Sequence, residues 1–173
     1  MDYKIINFKN FSPIIHDSVF IGHGVVIAGQ VTIDENVSIW FNSVIRGDVA
    51  PITIGKNTNI QDAVVIHTSR FEGPTHIGNN ITIGHMALIH ACTIYDNAFI
   101  GMQSTIMDKA IIEEGGFLGA GSLLSPNKII RKNELWIGRP AKFVRMVTSE
   151  DVEIMQSNVQ NYLDLAKDYK RSL

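Results

Sequence analysis

The chain is poor in most of the features that sort proteins into classes. It carries one cysteine, Cys92, so no internal disulfide framework can staple it. No stretch reaches the roughly 18 apolar residues that read as a membrane helix. The start, MDYKIINFKNFSP, has no apolar core long enough for a secretory signal. Excess charge is also lacking: a formal net charge of −2 and a pI near 6.3 leave no basic footprint for nucleic acid or anionic membrane. These absences predict a soluble, cytoplasmic protein without nucleic-acid or membrane partners. Strongly basic neighbours are missing around Cys92, which predicts a small buried residue rather than a reactive thiol. At 173 residues the chain has one domain's length and can bury a sizeable core.

What the sequence does have is a period. Isoleucine returns every six residues at 15, 21, 27, 33, 39 and 45, resumes at 54, 60 and 66, and again at 77, 83 and 89. A five-residue step then leads to Ile94, Ile100, Ile106, Ile112, Leu118 and Leu124, giving eighteen aliphatic anchors. Small or β-branched residues follow four positions later, as at Val19, Val25, Val31, Val37 and Ser43. Glycine often follows the anchor directly, as at Gly22, Gly55, Gly78, Gly84, Gly101 and Gly119, which suggests tight corners. A plain antiparallel sheet would show a period of two. A hexapeptide period predicts a parallel β-helix: each hexad is one short side, three sides make a triangular coil, and eighteen hexads make about six coils. The fold class is therefore all-β, with the β-helix and a short N-terminal arm over 1–130. WIGRPAKFVR then reads as a turn and returning strand within 131–147, Pro140 forbidding helix. From Thr148 as cap, Val152, Met155, Val159, Tyr162, Ala166 and Tyr169 recur at helical spacing, so 148–173 reads as an amphipathic helix packed on the prism or a neighbouring subunit.

The period sorts the histidines. His67 follows anchor Ile66 and His90 follows anchor Ile89, so both take one slot on one side, a coil apart, with Arg46 in the same slot a coil below. Adjacent strands lie about 4.8 Å apart, close enough for two imidazoles to bind one ion. His85 lies two residues after Ile83, on the preceding side, where it can complete such a site only for another copy of the chain. Three prisms around a threefold axis would allow that. Asp62 takes the His85 slot one coil below and would face the neighbour's Arg46 as a charge-assisted pair. His16, His23 and His76 read as hydrogen-bonded or surface residues.

NSVIRGD (42–48), TNIQDAVVIH (58–67), IGHMALIHAC (83–92), IGM (100–102) and GRPAK (138–142) resemble the gamma-class carbonic anhydrases over about residues 10–170. The resemblance implies a left-handed β-helix with a C-terminal helix, assembled as a homotrimer. It implies that His67 and His90 of one subunit and His85 of the next bind zinc, ferrous iron being the other ion that neutral imidazoles suit. Gln61 would hydrogen-bond the metal-bound solvent, and Arg46, Asp48 and Asp62 would form an interface ion network. Asn59 and Tyr162 are weaker candidates for a polar rim, reading more readily as a turn amide and a packing aromatic. Metal-bound hydroxide would attack carbon dioxide to give bicarbonate, with Val44, Val64, Ile106 and Met107 as candidate sources of an apolar pocket. Relatives that export the proton through an acidic residue carry it directly after RGD; here that position is Val49, and the insert TSRFEGPTH offers only Glu72. This predicts slow or buffer-dependent turnover. An acyl-coenzyme A thioesterase or acyltransferase on the same scaffold, and a non-catalytic zinc-stapled trimer, are the competing readings.

Overall fold

The structure is a computed structural model and describes residues 2–172; Met1 and Leu173, the outermost residues of the expected arm and helix, lie outside the described residues. The hexads fold as expected into a left-handed parallel β-helix. The first side stacks strands ending at Ile21, Ile39, Ile60, Ile83, Ile100 and Leu118, each in parallel register with the next. The second side stacks Ile27, Ile45, Ile66, Ile89, Ile106 and Leu124 in the same way. The third carries Ile15, Ile33, Ile54, Ile77, Ile94 and Ile112. From Ile27 onward every anchor is at most 2% exposed. Inward aliphatic side chains thus form one continuous column of core, each contributing about 1.5–3 kcal/mol by leaving water.

The helix reaches about seven coils rather than six. Ile130 is fully buried and pairs in register with Ile112, and the strand Glu134–Gly138 adds Trp136 in parallel to Leu118. The strand Ala141–Met146 then returns antiparallel. The corners also differ from the expectation. Left-handed backbone falls three residues after most anchors and is mainly asparagine: Asn36, Asn42, Asn57, Asn80, Asn97, Asn127 and Asn133. Asparagine tolerates this region because its short amide bonds locally. Side-chain amides of Asn36, Asn57, Asn80 and Asn97 link coil to coil at 3.0–3.3 Å. Glycines directly after the anchors serve close stacking instead: a Cβ at Gly84 would lie 2.6 Å from the Met102 nitrogen, and one at Gly101 2.3 Å from that of Ala120.

The helix Ser149–Ser172 lies along the first side of its own prism. Thr148 caps it: its hydroxyl accepts from the Asp151 N–H at 3.2 Å, while its own N–H donates to the Asp151 carboxylate at 2.7 Å. Hydrogen bonds from Arg145 and from the Thr148 backbone hold the Asp151 carboxyl far below the usual range, and the bond to Asp151 pushes Arg145 up. Met155 and Ala166 are buried, and Tyr162 and Tyr169 stack edge-on against Trp40 at 5.2 and 5.4 Å. Val152 and Tyr169, expected on the packed stripe, are each 38% exposed. No helix among the described residues is long and apolar enough to cross a membrane.

Candidate metal centre

Stacking in register places Arg46, His67 and His90 directly above one another on the outer face of the second side. His67 Nδ1 lies 3.3 Å from His90 Nε2. Each ring's other nitrogen meets a carboxylate, His67 Nε2 with Asp48 at 3.0 Å and His90 Nδ1 with Asp108. An ionised carboxylate only accepts, so the nitrogen facing it carries the hydrogen. In the tautomer these bonds select, the two facing nitrogens carry lone pairs, and the acids fix the orientation of the rings. Two nitrogens bound tetrahedrally at 2.0–2.1 Å to one ion lie about 3.3–3.4 Å apart. The observed separation and donor set thus fit a tetrahedral metal.

Asp48 ties the column together. One oxygen takes the His67 N–H and the other accepts from Arg46 Nη1 at 2.5 Å. Partial burial pushes its carboxyl up, but the bonds from His67 and Arg46, together with the Arg46 charge, outweigh this and hold it below the usual value.

His85 lies on the first side, away from that pair. Its Nδ1 lies 2.8 Å from an Asp62 carboxylate oxygen and accepts from the Asp62 backbone N–H at 3.3 Å. Within one chain, among the described residues, no group of three or more histidine, cysteine, aspartate or glutamate side chains can hold an ion. Gln61 is buried beside His85: its Oε1 accepts from the His85 backbone N–H and its Nε2 donates to Asn59, both at 3.2 Å. Asn59 is a buried strand residue, not a turn amide, and donates to Thr82 at 2.9 Å. Gln61, His85, Phe99, Met102, Asn158 and Tyr162 border a cavity of about 400 Å³.

Two of the four expected pocket residues point the wrong way. Val64 and Ile106 are fully buried in the core. Val65, one position on, is 40% exposed, and Leu88, its register partner, 37%. With half-exposed Val44 they form an apolar column on the face that bears the histidines. A one-residue slip moves a side chain to the opposite face. Asp108 was also missed; its signal is a place two residues after Ile106, on the coil next to His90. Cys92 is 2% exposed, and burial pushes its thiol up to about 12. His16 and His76 bond Ser18 and Thr53.

A hexapeptide β-helix bearing histidines in register defines the class of protein. Residues 12–47 match the Bacterial transferase hexapeptide (six repeats) family. The chain is 46% identical over 166 residues to the carbonic anhydrase of Geobacillus kaustophilus, covering 96% of this chain and 91% of that one. It is 39% identical over 168 residues to the mitochondrial gamma carbonic anhydrase 2 of Arabidopsis thaliana, covering 94% of this chain but only 60% of the relative's length. The solved structure of a hexapeptide transferase family protein from Anaplasma phagocytophilum is 47% identical with a TM-score of 0.92, covering 95% of this chain and 97% of that one. The chain belongs to the gamma-class carbonic anhydrase family.

Proposed function

We propose that the protein is a metalloenzyme interconverting carbon dioxide and bicarbonate at centres shared between copies of a homotrimer. The observation that carries this is the pair of facing lone-pair nitrogens on His67 and His90, 3.3 Å apart. With His85 of a neighbouring copy they would hold zinc or ferrous iron. Such an ion supplies Lewis acidity that makes water a nucleophile near neutral pH.

The chain's own residues do the rest. Asp48, Asp108 and Asp62 lie against the three imidazoles and orient them. The second oxygen of Asp62 is available to the neighbour's Arg46, whose side chain is 47% exposed. Gln61 keeps one amide N–H free to donate to solvent or bicarbonate beside His85. Val44, Val65, Leu88 and Met107 offer the apolar surface that carbon dioxide needs. Val49 offers no acid for proton export, and Glu72 is paired with Lys109. Turnover should therefore rise with buffer concentration.

Stopped-flow hydration of carbon dioxide tests the reading. Zinc- or iron-loaded protein should accelerate the reaction, and chelation or His90→Ala should abolish the gain. A loaded trimer without metal-dependent acceleration would reject it. The likeness to a hexapeptide transferase family protein supports a second reading, hydrolysis or transfer of an acyl-coenzyme A thioester. Thiol release from a panel of acyl-coenzyme A compounds separates the two. A non-catalytic, zinc-stapled trimer is the third: there His90→Ala would lower trimer stability with no rate to lose.

A further inference from the structure

The eleven-residue step from Ile66 to Ile77 leaves the second side immediately after His67. It is not a loose loop. Ser69 and Gly73 exchange backbone hydrogen bonds at 3.1 Å in both directions, closing a small hairpin. The Ser69 hydroxyl accepts from the Glu72 N–H at 3.1 Å. Glu72 in turn pairs with Lys109, two coils further along the same corner. At the tip of this pinned hairpin Phe71 is 90% exposed, more than any other large hydrophobic residue described. A flexible tip could fold such a ring onto its own surface; this one is held away from it.

We propose that Phe71 docks into a second copy of the chain, entering the cavity beside that copy's His85. The proposal rests on the shared three-histidine centre inferred above, because that centre requires the second side of one copy to meet the first side of the next. The hairpin begins two residues after His67, at Ser69, and rises from the edge of the second side. The helix Ser149–Ser172 and the cavity of about 400 Å³ lie on the first side. Phe99, Met102, Phe117 and Tyr162 line that cavity with aromatic and thioether surface suited to a phenyl ring. Each contact would thus join the ligand-bearing edge of one copy to the Gln61–His85 wall of the next. Phe71 would close the rim of the centre, narrowing the entrance to small substrates.

Phe71→Trp reports the contact directly. The variant's emission, after subtraction of the native Trp40 and Trp136 signal, should be blue-shifted and resist iodide quenching in the zinc-loaded trimer. It should turn red-shifted and readily quenched when dilution dissociates the assembly. Phe71→Ala should weaken assembly about tenfold for each of the three contacts, about 1.4 kcal/mol apiece, leaving the fold of each copy unchanged. A zinc-binding trimer of Phe71→Trp whose introduced indole is quenched as freely as tryptophan in solution would overturn the docking while leaving the metal centre standing. A chain that stays monomeric with zinc at every concentration would overturn both.

Discussion

The inside of the prism and its second outer side follow opposite rules, one residue apart. Inside, the same aliphatic type recurs coil after coil, so each position shares its work with neighbours above and below. Outside, the residues that follow three of those anchors, Arg46, His67 and His90, are single positions with distinct tasks. Stability and chemistry therefore alternate along each strand. Changing a residue at one parity should affect the fold, and changing its neighbour should affect the site.

The widest gap is expected at Ile89 and the residues around its successor. Ile89→Ala empties a fully buried site and should cost about 2–5 kcal/mol, read by thermal or denaturant unfolding. Equal stability in this variant would break the comparison. Asp108→Asn tests the outer side. It should leave unfolding of the metal-free chain nearly unchanged but weaken zinc binding about 10–100-fold in a chelator competition. A loss of stability without a loss of affinity would place Asp108 in the scaffold instead. The smallest effect is expected far from both, at the helix cap. Asp151→Asn should cost about 1 kcal/mol at neutral pH. The native carboxyl is held below its ordinary value, so its contribution is full above about pH 4 and fades as pH falls through the depressed value. The gap between native and variant in denaturant titrations should therefore close on strong acidification, and a gap that widens in acid would contradict the capping geometry.

Much of this was legible in the sequence because the core speaks through one residue type at one interval. The anchors fixed the three sides, and the sides put His67 and His90 in one slot. The seventh coil was harder to see because its last anchor is Trp136, which breaks the aliphatic series. The pocket residues were misjudged where period six was followed without period two: Val64 and Ile106 face inward, whereas Val65 and Leu88 share the histidines' face. Asp108 and Asp48 reach their imidazoles across coils from slots the column does not contain. Side-chain length, which spacing does not encode, decides such contacts. The corner asparagines were overlooked for a related reason. Glycine after the anchor suggests the corner, but those glycines answer to stacking distance, and the turn itself lies two residues further on.

The three departures from the six-residue step all fall at one corner, immediately downstream of Arg46, His67 and His90: nine residues from Ile45 to Ile54, eleven from Ile66 to Ile77, five from Ile89 to Ile94. Stacking nonetheless resumes in phase, with Ile54, Ile77 and Ile94 in register. This edge works as an expansion joint, where chain can be spliced in or trimmed out without disturbing the layers beneath. A recognition segment of foreign sequence grafted at that seam would sit beside the histidines by construction, which makes it the natural place to re-engineer what reaches them.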